Sequence, residues 1–368
     1  MSAEQIPQPR HRGKGRRRRP RSGRRKGLLV AAWTTAGIVV LGGTGVGYLY
    51  FKLNGNLHSV DIEQALGTDR PAKTDNGSEN ILVLGSDTRA GGNGKLGGGT
   101  DDGTARSDTA MVVHVHQGHR KASVVSVPRD TLIDRPECTD TDGRTHDAAS
   151  GVMFNSAYAT GGAACAVKTV ESMSGLRMDH YLEVDFSGFQ KLVDELGGVE
   201  ITTTRDISDP DSHLDLKAGT HRLDGEQALG LVRTRHGVGD GSDLGRIQLQ
   251  QAFVKALVDQ VKDIGVLSSP KKLVDLADTA TKTVTTDSDL GSVNKLMSFA
   301  SGLKGITPAH LNMVTMPVQY DPADANRVLV DEPKAQQVWT ALKADRQIPR
   351  TATEGTAAGG AKGVVGAP

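Results

Sequence analysis

From Leu28 to Phe51 the chain reads "LLVAAWTTAGIVVLGGTGVGYLYF", without one charged residue. At a rise of about 1.5 Å per helical residue, about 20 apolar residues cross the hydrocarbon core of a bilayer. The stretch is longer than the apolar core of a cleavable signal peptide, about 7–15 residues. Trp33 stands near one end and Tyr48 and Tyr50 near the other, as an aromatic belt at the two interfaces requires. A transmembrane helix over 27–51 is therefore expected, and the rest of the chain must fold on one side of it or the other.

Charge decides which side. Residues 1–26 hold eleven Lys or Arg (in "RHRGKGRRRRPRSGRRK") against one acid, Glu4. Positive charge stays in the cytoplasm, so 1–26 reads as a basic cytoplasmic arm and everything from 52 onward as extracytoplasmic. Taken alone, "RRRRPRSGRRKG" would also fit a nuclear signal or a nucleic-acid tail. The overall net charge of +1 conceals the asymmetry: without the arm, 33 basic residues face 42 acidic ones. An acidic outer domain with its arginine arm across the membrane is not a nucleic-acid binder.

The two cysteines, Cys138 and Cys165, both follow the span, in a compartment that permits a disulfide. Pairing is expected, although spacing alone leaves two independent buried thiols open. With no Cys cluster at metal spacing, a structural zinc site is not expected.

Beyond a polar connector over 52–78, the runs "ILVLG" (81–85), "TAMVVHVH" (109–116) and "ASVVSV" (122–127) have strand length and are rich in Val. The tight-turn composition of "QGHRK" predicts a hairpin between the last two. The Gly-rich loop between the first two lacks the order of a phosphate-binding P-loop. Helices are expected where apolar residues recur at helical spacing: in "YLEVDFSGFQKLVDELGG", from Asp224 with a capping box to Gln227, over 244–264, around 271–280 and 289–303, and near 333–344. Ile247, Val254, Leu257, Val258 and Val261 form the expected stripe of the long one. The fold class is α/β of the α+β type: a central sheet, mostly antiparallel or mixed, flanked by helices over 79–348. Residues 349–368 are low-complexity and read as a disordered tail.

If the first three strands form an antiparallel meander, three chain segments deliver charge to one rim. Asp87 follows the first strand, Arg106 and Asp108 precede the second, and Arg129 and Asp130 follow the third at "SVPRD", where Pro128 has no N–H to continue the ladder. In "LVRTRHGVGDGSDLGRIQLQQ", Arg233 and Arg235 share a direction only if the chain leaves the helix there, whereas Arg246 and Gln250 share a helix face. Clustered guanidinium forks suit phosphate oxygens, and paired aspartates suit a hard divalent ion bridging them. Structural ion pairs account for the same spacing equally well.

The motifs "NILVLGSDTR", "RSDTAMVVHV", "VVSVPRDT", "FNSAYATGG", "HYLEVDFSGFQKLVDELGGVEI", "LDGEQALGLVRTRHG" and "DLGRIQLQQ" occur in order over roughly 79–260. Together they resemble the LytR-CpsA-Psr family of cell-envelope proteins. The resemblance implies a phosphotransferase that moves a glycopolymer from a polyprenyl-pyrophosphate carrier to a peptidoglycan sugar hydroxyl outside the membrane. It implies Asp87 and Asp108 as ligands of Mg²⁺, with Mn²⁺ as a substitute. Arg106, Arg129, Arg233, Arg235 and Arg246 would hold the pyrophosphate, Gln250 beside them, while Asp130 orients Arg129. It also implies an apolar tunnel for the prenyl chain, which Phe186, Phe189, Leu192 and Val193 could line if they are not ordinary core. The loop from Asp87 to Arg106 is longer and richer in Gly than the family pattern. A pyrophosphatase on the same carrier, or a non-catalytic binding or regulatory protein, would use the same residues.

Other polar residues read as structural. His114 and His116 alternate on one strand face, but two histidines without a third ligand suit solvated positions better than a metal. His236 adjoins the arginines. The acidic run "SDPDSHLD" lacks the order of a calcium loop and reads as solvated.

Overall fold

The computed structural model describes residues 47–86, 107–235, 241–265, 269–357 and 365–366. The chain divides into two units, Met1–Phe51 and Lys52–Pro368. Of the first, residues 47–51 are described and are helical. Most of the expected span lies outside the described residues, and no described helix is long and apolar enough to cross a membrane.

The second unit is built on a seven-stranded sheet. Its strands in chain order are β1 (His58–Val60), β2 (Glu79–Ser86), β3 (Ser107–Val115), β4 (Ala122–Val127), β5 (His180–Asp185), β6 (Val284–Asp287) and β7 (Leu311–Thr315). Across the sheet they run β1-β6-β5-β2-β3-β4-β7. The expected meander β2-β3-β4 is present and antiparallel. A further antiparallel pair joins β5 to β6, but β1·β6, β2·β5 and β4·β7 are parallel. The sheet is thus evenly mixed rather than mostly antiparallel, because helical crossovers return β5 and β7 alongside the meander.

The helices are α1 (Asn155–Ser174), α2 (Phe186–Glu195), α3 (Gly225–Arg233), α4 (Asp243–Asp263), α5 (Pro270–Thr283), α6 (Val293–Leu303) and α7 (Glu332–Lys343). Strand alternation sorts the core between them. Leu82, Leu84, Ala110, Val112, Val125 and Val127 face α1 and α7, where Val167, Val170, Val338 and Trp339 meet them. The intervening Val83, Met111, Val113 and Val124 face α4 through Val254 and Val258. A smaller core gathers Val193, Val199, Ile207, Leu231, Leu249 and Phe253. Helix α4 therefore supplies apolar contacts to three clusters, with Ile247 in the first. Val261, expected in its apolar stripe, is 39% exposed.

Two expectations are corrected here, and one helix was not foreseen. The connector 52–78 is part of the fold: it supplies β1 and the buried Ile62 and Leu66. Helix α1 had no sequence counterpart because Gly161 and Gly162 look like a break. They are a kink inside the helix, with Gly162 at φ 61°, and a Cβ on Gly161 would collide with Cys165 Sγ. Nor is the tail disordered throughout, since residues 350–357 fold back, Ala352 entering the main core, and Val365–Gly366 pair with Thr202–Thr203. Cys138 and Cys165 are joined by a disulfide that fastens α1 to the segment after β4.

One buried ion pair locks β6 to β5. Asp287 Oδ2 accepts the Tyr181 N–H at 2.8 Å and faces His180 Nδ1 at 3.2 Å. Burial opposes the charge on both groups, yet their contact prevails, lowering the Asp287 pKa and raising that of His180. The carboxylate's share of stability is present above the unfolded carboxylate range and is lost as pH falls through its depressed folded pKa. The imidazolium's share is complete below about pH 6.5 and is lost as pH rises through its raised folded pKa. Asp287→Asn is expected to cost roughly 1.5–3 kcal/mol near pH 5–6. Denaturant unfolding across pH should show the gap from wild type narrowing on both sides, and a pH-independent gap would rule this coupling out.

Candidate active site

The sequence places the site where backbone pairing ends. Pro128 closes β4, and Thr131 N–H bonds back to its carbonyl at 3.1 Å, so Arg129 and Asp130 sit in a turn at the sheet's rim. Asp108 occupies the second position of β3 on the same edge. Helix α3 stops at Arg233; Thr234 is extended, with φ −55° and ψ 131°, and Arg235 is displayed beyond it. The buried Gln250 Nε2 secures this break by donating to Val232 O and to Thr109 Oγ1, each at 3.0 Å.

These segments enclose a cavity of about 220 Å³. Asp108, Arg129, Arg233, Arg235, Arg246 and Gln250 all line it. Asp130 stands behind Arg129, 3.6 Å from its Nε. Asp87, Arg106 and His236 lie outside the described residues. Their chain neighbours Ser86 and Ser107 pair at the end of the β2·β3 ladder.

Arg129 is gripped on several sides. Its Nη1 donates to Asp108 Oδ1, and Asp243 Oδ1 lies 3.7 Å from its Nε. Burial works against the charge on Arg129, but Asp108, Asp243 and Asp130 outweigh it and raise its pKa. For Asp130 burial dominates, and its pKa rises despite Arg129.

Asp243 is a site residue that sequence reasoning missed. Its buried carboxylate pairs with Arg246 and lies 3.7 Å from Arg235 as well as from Arg129, whose backbone N–H also donates to it at 3.3 Å. The available signal was its i,i+3 spacing from Arg246. Asp209 and Asp211 were assigned to a solvated loop, yet both line the cavity. Asp209 is buried and accepts the Arg235 N–H at 2.8 Å.

The expected lipid-facing stripe is corrected. Only Phe186 reaches the cavity, under the Arg233 guanidinium at 4.9 Å. Phe189 packs on Phe253, Val193 lies within the smaller core, and Leu192 is half-buried outside the cavity lining.

Four arginines and three aspartates thus share one wall. Among the described residues, Arg129 Nε, Arg246 Nε, Asp243 Oδ1 and Asp179 Oδ1 are buried without a hydrogen-bond partner. Four guanidinium groups lining one cavity are complementary to an anion rich in acceptor oxygens. The carboxylates on the same wall are hard oxygen donors of the kind magnesium takes.

Comparison with known proteins shows the family. The LytR_cpsA_psr family model matches residues 49–344. The chain is 30% identical to the polyisoprenyl-teichoic acid–peptidoglycan teichoic acid transferase TagT of Bacillus subtilis, over 90% of this chain and 98% of that one. It is 34% identical to the probable cell wall biosynthesis protein LcpB of Corynebacterium glutamicum and 31% to LcpA of the same organism, over 74% and 76% of this chain. Those matches span 61% and 58% of the two relatives' own lengths. Among solved structures, TagT bound to LI-WTA superposes with a TM-score of 0.56 at 26% identity, covering 78% of this chain and 98% of that one. A LytR-Csp2A-Psr enzyme from Actinomyces oris shares the fold, with a TM-score of 0.58 at 21% identity, over 78% of this chain and 96% of that one. By sequence match and by fold, the chain belongs to the LytR-CpsA-Psr family.

Proposed function

We propose that this protein is a membrane-anchored, extracytoplasmic phosphotransferase that moves a glycopolymer from a polyprenyl-pyrophosphate carrier to a sugar hydroxyl of peptidoglycan. The observation that carries the reading is the arginine wall, four guanidinium groups lining one cavity beside carboxylates. The transferase named among the relatives aligns over 90% of this chain. The uncharged run 28–51 behind a basic arm supports the anchor and its orientation.

In the proposed reaction the acceptor hydroxyl oxygen attacks the phosphorus bearing the glycan. A new phosphorus–oxygen bond forms there, the bond to the bridging pyrophosphate oxygen breaks, and polyprenyl phosphate leaves. The hydroxyl proton passes to a carboxylate; Asp108 is the one on the cavity wall that also fixes Arg129. Arg129, Arg233, Arg235 and Arg246 hold the phosphate oxygens, and their value lies in being fixed before the substrate arrives. Asp130 and Asp243 do that fixing from behind. A magnesium ion held by Asp108, with Asp87, would neutralise charge on the pyrophosphate oxygens.

Full-length protein in detergent, given a polyprenyl-pyrophosphate-linked glycan, magnesium and a peptidoglycan oligomer, is expected to yield acceptor-linked phosphodiester. Arg129→Ala should lower kcat/KM at least about a hundredfold, and Arg129→Lys should recover little of it, because an ammonium lacks the planar fork. Free phosphorylated glycan as the main product would make the protein a pyrophosphatase. Undiminished lipid binding without turnover would make it a binding protein.

Asp243→Asn keeps the side chain's shape but removes the charge shared by three arginines. It should cost about 3–5 kcal/mol in stability and about a hundredfold in kcat, as steady-state kinetics on the folded variant would measure. Lowered stability with kcat intact would reduce Asp243 to a structural counterion.

A further inference from the structure

Far from the cavity, the other end of β3 carries a second cluster. His114, on the strand, and His116, just past its end, are two residues apart and point to one face of the sheet. They are buried, not solvated, with His114 only 1% exposed. A third group meets them from a point more than two hundred residues further along the chain: Asp345, just after α7. Its Oδ1 lies 3.0 Å from His114 Nε2 and 2.7 Å from His116 Nδ1, and one potential ligand atom from each residue falls within 4.8 Å of the others.

Hydrogen bonding fixes what His114 presents. Asn80 Nδ2 donates to Arg177 O at 3.0 Å, so the amide oxygen of Asn80 faces His114 Nδ1 at 2.7 Å and that nitrogen must carry the proton. In the neutral ring the lone pair is then on Nε2, directed at a carboxylate oxygen. Two acceptors face each other, an arrangement that requires a proton or a cation between them. His116 can meet the carboxylate through its own Nδ1–H, with Ser123 Oγ–H donating to its Nε2; a cation would take the place of both protons and be shared by the two imidazoles and the carboxylate.

The surroundings are those of a ligand set. His116 Nε2 contacts Ser123 Oγ at 2.9 Å, and Asp345 Oδ2 accepts the Gln117 N–H at 3.3 Å. Each candidate ligand is therefore oriented by an outer partner, as metal-binding histidines and carboxylates usually are. Asp345 is also held at φ 51°, a left-handed position after a helix that ordinarily belongs to glycine. An aspartate kept in that conformation suggests that its side chain is required there.

We propose that His114, His116 and Asp345 form a binding site for a zinc-type divalent ion, completed by water, that clasps the end of α7 to the β3–β4 hairpin. Two imidazole nitrogens and one carboxylate oxygen are a zinc donor set. Tetrahedral ligands at zinc bond lengths stand about 3.3 Å apart; the carboxylate oxygen is within a few tenths of an ångström of that spacing from each imidazole nitrogen, and the two nitrogens lie within 4.8 Å of each other. The site lies about 20 Å along β3 from Asp108, and the inference is independent of the proposed transferase reaction.

The test is cobalt titration of chelator-stripped, full-length protein in detergent, read by visible absorption. One equivalent should bind with the bands of a tetrahedral nitrogen-ligated site, and zinc should abolish those bands and raise Tm. Asp345→Asn should weaken binding at least about tenfold, His114→Gln should remove the bands, and Asp108→Asn should leave them unchanged. The wild-type titration does not depend on any variant folding. Absence of bands with cobalt in large excess would overturn the proposal in favour of a proton-bridged clasp. Bands that vanish in Asp108→Asn but survive in Asp345→Asn would overturn it in favour of the other site.

Discussion

The buried carboxylate of Asp243 holds the candidate active site together. Three arginines from three chain segments converge on it: Arg129 from the turn after β4, Arg235 from the break after α3, and Arg246 one turn along its own helix. Without a shared counter-charge, guanidinium groups this close would repel one another, and partly buried ones would also pay for desolvation. With it, the sheet rim, the end of α3 and the start of α4 are fixed in mutual register. Gln250 repeats the device with neutral groups, bonding β3 and the end of α3 from a position two turns further into α4.

The rest of the architecture follows from what α4 must do. It carries Asp243, Arg246 and Gln250 toward the cavity while packing Ile247, Phe253 and Val254 into three separate clusters. A helix so occupied cannot be simply amphipathic. Its register is fixed by core packing, which in turn sets where the polar groups point, and this is how a rigid scaffold pre-aims donors at an anion.

What the sequence revealed and what it concealed divide along physical lines. Strands β2 to β4 were legible because they are buried on both faces and read as Val-rich runs. The rim residues were legible because Pro128 and the end of α3 announce where pairing stops. Helix α1 was hidden by Gly161 and Gly162, which signal a break unless one knows that a cysteine sulfur must approach the backbone there. Phe189 and Val193 could not be assigned from periodicity, since a stripe lining a tunnel and a stripe lining a core have the same spacing. Asp345 was hidden because its partners are more than two hundred residues away in the chain; Asp243 left a local trace in its i,i+3 spacing from Arg246, but none of its contact with the distant Arg129.

The two ends of β3 illustrate how one strand can serve two polar clusters without conflict. At its start, Asp108 leaves the ladder's edge toward a cavity, where charge must remain accessible to a ligand. At its end, His114 and His116 are sealed by α7 and by Asn80 and Ser123 on the neighbouring strands. Between them Ala110 and Val112 belong to one core cluster, and Met111 and Val113 pack into another, so each polar cluster is insulated by several apolar layers. Polar groups buried in a sheet are tolerable only where every donor and acceptor is matched. At the outer end of β3 a residue delivered by the last long helix meets the two histidines, and the match is completed by the proton or cation between them, so the position of α7 is set by a polar contact at its terminus as well as by Val338 and Trp339 in the core.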